Sequence, residues 1–478
     1  MPDPTASDAP PVRFERTARA DARPVTARFD LPSSSSDGGA VLLDACDARF
    51  GPEGLCARLA ACLSDRRDPA RVQHSVLDLL RQRLFGLCAG YRDCNDAARL
   101  KADPVARLVL GRDPIDGPAP ASQPTLCRFE NALDARSLVR MGHALADTVI
   151  ARHRRRLRRR PPKRITLDVD PTDDHTHGAQ QLSVYNGHYG AWCYLTVPVF
   201  VSFGAESEAY LVGATLRPGD AHASDGAVTI LSRLVEKLRA AFPRTTLRVR
   251  LDGGFAVPEL FEFLEEKGLE YVVAIGGSTV LRDRAEASMR AVRRRSSASG
   301  LTEHDYGDCE HTSEGWNGAV RRVVIKAEVV RLEGRKARDN PRFVVTNLTA
   351  SARHVYEGVY CARGEIENRI KELVDGLGLD RTSCTRFLAN QARVLFVCAA
   401  YVLMQELRLS ARDTDLARAQ VTTLRERLIK VAVRVEATAR RVVLHLADSA
   451  PWRRDWCQVA RRLGAVLAGP ALGVQLGS

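Results

Sequence analysis

Between Arg164 and Ile275 the chain sets strand-like and helix-like stretches in an order that few folds accept. Arg164–Val169 alternates as a short strand. Residues 184–185 and 192–203 read as two more strands, joined through the turn signal Asn186-Gly187. A helix is expected at residues 225–241, with Ile230, Leu231, Leu234 and Leu238 on its apolar face. A strand at 245–251, a helix at 257–267 and a strand at 270–275 complete the series. This β-β-β-α-β-α-β order predicts the α/β class, with helices packed on a mixed sheet.

It is the plan of an RNase H-like core, and other segments flank or interrupt it. Residues 1–37 are rich in Pro, Ser, Asp and Ala and predict a flexible arm, with one short strand at 25–30. Residues 38–160 are expected to be a helical DNA-binding region, in which Leu77, Leu80, Leu84 and Leu87 form a buried stripe. Ser122-Gln-Pro-Thr125 marks a helix start. The short helix that follows, with Arg128, is either a recognition helix that reads DNA or an ordinary bundle helix. The core's first part is expected at 161–275, a β-rich insertion at 276–349 and the core's second part at 350–410. Inside the insertion, runs at 301–306, 321–330 and 340–345 read as strands. The apolar stretch 389–408 predicts a buried helix, and 411–478 forms a mixed basic tail.

Charge narrows the partner. Lys and Arg number 71 against 58 Asp and Glu, a formal net charge of +13, and the excess is mostly Arg, whose fork suits phosphate. From Arg152 to Arg160 every residue but Leu157 is Arg or His, with no acid among them. Arg154, Arg155, Arg156, Arg158, Arg159 and Arg160 are therefore expected on a DNA backbone, against the alternative of a solvated helix face. The 12 Cys form no C-x-x-C pair, which argues against a zinc ribbon and for a reducing compartment. No apolar run is long enough to span a membrane and no secretory signal opens the chain, so a cytoplasmic protein is expected.

Three acids carry the candidate chemistry. Asp170 and Asp252 each stand where a strand should end, in Asp168-Val-Asp170-Pro-Thr172 and Leu251-Asp252-Gly-Gly. Tyr360, Arg363, Glu367 and Lys371 follow at i, i+3, i+7 and i+11, on one helix face. A carboxylate among those cations suits a site that holds a divalent ion while its neighbours hold a polyanion. Two Mg²⁺ ions about 4 Å apart activate water and stabilise the leaving oxygen in phosphodiester cleavage. Mg²⁺ takes hard oxygen ligands, so Asp170, Asp252 and Glu367 are the candidate set, with Mn²⁺ as a substitute. Asp168 and Asp170 point to the same sheet face, and either can be the first acid. Asp170 is preferred because Thr172 follows it in D-x-T spacing. His175 and His177 invite a zinc reading, but no Cys accompanies them.

These motifs resemble a family of bacterial insertion-sequence transposases of the DDE class, the group 1 branch with a Tyr-Arg-Glu signature. The matching stretches are Asp168-Val-Asp170-Pro-Thr172, Tyr185-Asn186-x-His188-Tyr189, Leu216-Arg217-Pro-Gly219-Asp220, Arg250-Leu-Asp252-Gly-Gly-Phe255 and Tyr360-x-x-Arg363-x-x-x-Glu367. Lys371 stands closer to Glu367 than the wider signature places it. The resemblance covers about residues 40–450. It implies an RNase H-like core split by a β-rich insertion and Mg²⁺-dependent cut-and-paste on terminal inverted repeats. Relatives nick one strand, form and reopen a hairpin, and join the freed 3′ ends to target DNA. Pairing two ends suggests a homodimer. Tyr360, Arg363 and Lys371 would then serve the phosphates beside the scissile bond. Trp316 is a candidate platform for an extruded base, or a core residue of the β-rich segment. A nuclease of the same fold without strand transfer, and a non-catalytic DNA-binding protein, are the alternatives.

Overall fold

The computed structural model describes residues 12–14, 25–28 and 30–466. Most of the expected N-terminal arm lies outside them. Its described strands, β1 (Val12–Phe14) and β2 (Val25–Ala27), pair antiparallel. The end of the arm is anchored: β3 (Ser34–Ser35) joins a C-terminal hairpin, and Asp37 pairs with Lys430 at 2.6 Å. That part of the flexible-arm reading is corrected, because its polar side chains find partners far along the chain.

Six helices follow: α1 (Val41–Ala48), α2 (Gly54–Ala60), α3 (Val76–Ala89), α4 (Pro104–Leu108), α5 (Gln123–Ala132) and α6 (Ala135–Arg156). Ser75 caps α3 through a reciprocal capping box with Asp78, and Leu80, Leu84 and Leu87 are buried on it. Leu77 is only half buried.

The sheet has strands β4 (Arg164–Val169), β5 (Thr172–His175), β6 (Val184–Asn186), β7 (Ala191–Phe203), β8 (Ala209–Pro218), β9 (Thr246–Leu251) and β10 (Glu270–Ile275). Helices α7 (Ala227–Ala241) and α8 (Pro258–Glu266) separate β8 from β9 and β9 from β10. The expected elements are present, with β5 and β8 in addition. Strands β4, β9 and β10 run parallel and adjacent, so the chain leaves all three at one end of the sheet. β4 and β5 pair successive parts of β7, and the break between them holds Asp170 and Pro171.

The segment 276–349 opens with a helix that the sequence reading did not include, α9 (Thr279–Ser299), carrying the basic run 290–295. Then come β11 (Glu303–His311), β12 (Arg321–Val330), β13 (Arg338–Asp339) and β14 (Arg342–Thr346). These strands form no separate sheet. β14 pairs with β10, so they extend the central sheet to 11 strands.

Residues 354–376 form a helical stretch of mixed pitch: a π-helix at His354–Tyr360, a 3-10 turn at Cys361–Arg363, α10 (Gly364–Lys371) and a second π segment at Glu372–Gly376. Val355, Tyr356 and Val359 pack it on Val272, Val324 and Val344. The alternate residues Val273, Val323 and Val345 belong to the main core. α11 (Phe387–Ser410) is the one described helix long and apolar enough to cross a membrane, and 78% of its most apolar window is buried in the fold. Phe396 of α11 stacks on Phe129 of α5, centroids 5.8 Å apart, and the N-terminal helices share one apolar core with the sheet. The chain closes with α12 (Val421–Leu424), the hairpin β15 (Val433–Thr438) and β16 (Arg441–Leu446), and α13 (Arg453–Arg462).

Candidate active site

Parallel pairing of β4 with β9 sets Asp168 opposite Arg250. Two residues on, past both strand ends, Asp170 and Asp252 therefore come side by side. Asp252 starts a 3-10 turn and accepts the Gly254 N–H at 2.9 Å, which fixes its carboxylate at the rim of the sheet. Asp170 is the more enclosed, with a side chain 13% exposed against 34% for Asp252. The 354–376 helix lies over this end of the sheet, because Arg250 Nη1 donates to the Val359 carbonyl at 3.0 Å.

Arg363 reaches from that helix between the two Asp. Its Nη2 lies 2.6 Å from Asp170 Oδ1 and 3.5 Å from Asp252 Oδ2. Its Nε is buried without a partner among the described residues. Burial pushes the Asp170 carboxyl up to about 6; Arg363 opposes this, and the charges of Asp252 and Glu367 add to it. Glu367 is thus within electrostatic reach of Asp170, although its own side chain is exposed. Tyr360 is half buried, its ring 5.4 Å from that of Tyr356. Burial raises its phenol's pKa, Arg363 opposes that, and Asp252 adds to it. Lys371 is exposed further along, and no ion pair joins it to the three acids.

Asp168 has a different environment. It is fully buried and grips Arg250 through two bonds of 2.7 Å. Asp168 is thus held as the buried partner of Arg250, whereas Asp170 keeps a partly exposed side chain at the strand end. The sequence signal was the Arg at alternate positions of β9, whose side chains need a buried acid on the next strand.

The donor set suits a hard divalent cation, since every candidate ligand is a carboxylate oxygen. Among the described residues no three acidic or metal-ligating side chains are gathered in ligating geometry. Between Asp170 and Asp252 stands the Arg363 guanidinium. His175 Nε2 lies 3.0 Å from Asp173 Oδ2, and His177 is exposed.

The arginine run divides. Arg154, Arg155, Arg158, Arg159 and Arg160 are exposed at the end of α6. Arg156 is not free: it forks onto Glu206 with two bonds of 2.8 Å and lies over the Tyr210 ring. Arg152 forks likewise onto buried Glu406, at 3.0 and 2.6 Å. The run lacks acids locally, but the fold supplies them from distant segments. Arg155 lines a cleft of about 560 Å³ with Arg49, Arg412 and Arg462. Arg128 is exposed on α5 and lines a cleft of about 450 Å³ with Arg66, Arg67, Arg71 and His74. Trp316 is corrected to a core residue. It is buried, edge-on to Phe261 at 5.5 Å and covered by the Arg321 guanidinium at 4.9 Å.

No curated protein gives a significant match to this sequence. The family model of the transposase DDE domain group 1 matches residues 17–467, nearly the whole described chain. The chain belongs to the transposase DDE domain group 1 family.

Proposed function

We propose that this transposase cuts DNA at the terminal inverted repeats of its own element and joins the freed 3′ ends to target DNA. The observation that supports the reading most is the meeting of Asp170, Asp252 and the Arg363–Glu367 helix at one end of the parallel strands. Asp170, Asp252 and Glu367 would hold the divalent ions. Mg²⁺, when bound, supplies an activated water or 3′ hydroxyl and stabilises the leaving oxygen.

The chain's own groups do the rest. Asp170, with its carboxyl pushed up to about 6, is ionised at neutral pH and ready to serve as a ligand. Arg363, once displaced from the two Asp, can fork onto the phosphate beside the scissile bond with a donor that has no other partner. Tyr360 keeps its proton, because its phenol is held above the ordinary range, and donates one hydrogen bond. The exposed arginines after α6 would hold the DNA backbone, and Arg128 would read the end sequence. Two ends must be paired before joining, so a homodimer is the working assembly.

The test is a supercoiled plasmid carrying the DNA that flanks this gene, incubated with the purified protein and Mg²⁺. Excision followed by joined products supports the proposal. Cut ends that are never joined would identify a nuclease instead, and an uncut plasmid would reject the reading.

A further inference from the structure

The hairpin of β6 and β7 carries rings that the fold does not use. Tyr185 and Trp192 are register partners, edge to face with centroids 6.3 Å apart. They are 53% and 60% exposed, although large rings are the side chains a fold gains most from burying. At the loop tip His188 and Tyr189 pack edge to face at 4.8 Å, both exposed. The hairpin is nevertheless held firmly. Asn186 Oδ1 accepts the N–H of His188 at 2.9 Å, and its Nδ2 donates to the Gly219 carbonyl at 2.6 Å. Gly190, at φ +66°, closes the turn with its N–H on the Asn186 carbonyl at 2.8 Å. A fixed pair of exposed rings is a surface already shaped for a partner.

Its position says which partner. The Thr176 N–H donates to the Trp192 carbonyl at 2.9 Å, tying the hairpin to β5, which starts two residues after Asp170. Gly219 begins the loop whose Ala223 packs on Gly254, beside Asp252; a Cβ at Gly254 would fall 2.7 Å from that of Ala223. By alternation along β7, Trp192 shares the sheet face of Phe200, which is paired with Asp168. Tyr189 lies near the acids: burial raises its phenol, and the charges of Asp173, Asp170 and Asp252 add to that.

We propose that Tyr185 and Trp192 form a stacking surface for one DNA base that leaves the duplex beside the phosphate under attack, with Tyr189 bordering it on the side of the acids. The inference rests on the function proposed above. Acidic side chains repel a phosphate backbone, so DNA must be held near them by groups that do not compete for a cation. Neutral rings do this, because every base offers a flat face. The same reasoning moves the stacking role from buried Trp316 to exposed Trp192.

The test uses the full chain without divalent metal, so no strand is cut. The probes are two short duplexes of one sequence, the first fully paired, the second with an unpaired 2-aminopurine beside a nick. The parent should quench the 2-aminopurine and bind that duplex about tenfold more tightly. Trp192→Ala should lose both effects and keep the affinity for paired DNA; Trp192→Phe should retain most of them. A Trp192→Ala protein that still quenches and discriminates overturns the proposal. So does one whose sole change is a loss of self-association in sedimentation, which would make the rings an interface between copies. A parent that binds both duplexes equally sinks the stacking surface alone, and one that binds neither also sinks the proposed function.

Discussion

Arg363 Nη2 lies 2.6 Å from Asp170 Oδ1 and 3.5 Å from Asp252 Oδ2, so one guanidinium balances the two carboxylates that a divalent ion is expected to share. Guanidinium and ion cannot both hold the same oxygens. Arg363→Gln should therefore raise Mn²⁺ affinity several-fold at pH 8, read by titration calorimetry, while slowing cleavage. Unchanged or weaker Mn²⁺ binding would show that Arg363 does not compete for this site.

The three proposed ligands and the buried Asp168 should fail in different ways. Asp170→Ala, Asp252→Ala and Glu367→Ala are each expected to abolish plasmid cleavage and leave gel-shift affinity for DNA intact. Asp168→Ala strands the buried Arg250 charge and should cost about 3–5 kcal/mol of stability. If Asp168→Ala folds stably and only loses metal binding, the first ligand has been misassigned.

Stability should change with pH through Asp170. Its carboxyl rises from 3.8 to about 6 on folding, with burial the main cause, so the native state keeps a proton that the unfolded chain releases. The resulting cost is absent below about pH 4 and complete above about pH 6. Asp170→Asn removes it and should stabilise the protein by about 1–2 kcal/mol at pH 8, with little gain at pH 3.5. Mg²⁺ should raise the parent's Tm at pH 8 and leave Asp170→Asn unmoved. Parallel melting curves for the two proteins across this range would contradict the assignment.

The arginines that end α6 should divide by partner. Replacing Arg154, Arg155, Arg158, Arg159 and Arg160 with Gln is expected to weaken all duplexes alike and flatten the salt dependence of binding. Arg156→Gln breaks the pair with Glu206 and should lower Tm with little change in that slope. Arg128→Ala should reduce the preference for the element's ends over random DNA, seen in competition binding. An intact preference would remove Arg128 from the reading surface.

Much of the sheet was legible because burial writes itself into period and strand ends. The apolar alternation of β4 and β9 placed Asp170 and Asp252 past their ends before any register was known. β5 is short and polar, and β8 is broken by Gly213, so neither announced itself. α9 was hidden in a run of Arg and Ser. Its buried stripe is thin: Leu281, Ala285, Met289 and Val292. The partners of Arg152 and Arg156 come from residues 406 and 206, and the cover of Trp316 from Phe261 and Arg321. Tertiary pairings of this kind leave no trace in local composition. The exposure of Trp192 is the same problem in reverse, since nearly all the residues that follow it along β7 are buried.

Arg363 and Asp170 are 193 positions apart, and the strands that connect them all belong to one sheet. A ribosome must therefore complete β14, and then the helix beyond it, before the third acid exists. A chain halted after Asp252 but before β14 carries an unfinished sheet and both aspartates, with no Arg363 between them. The proposed metal centre is thus completed late in synthesis, and a chain that stops before residue 367 would lack its third proposed ligand.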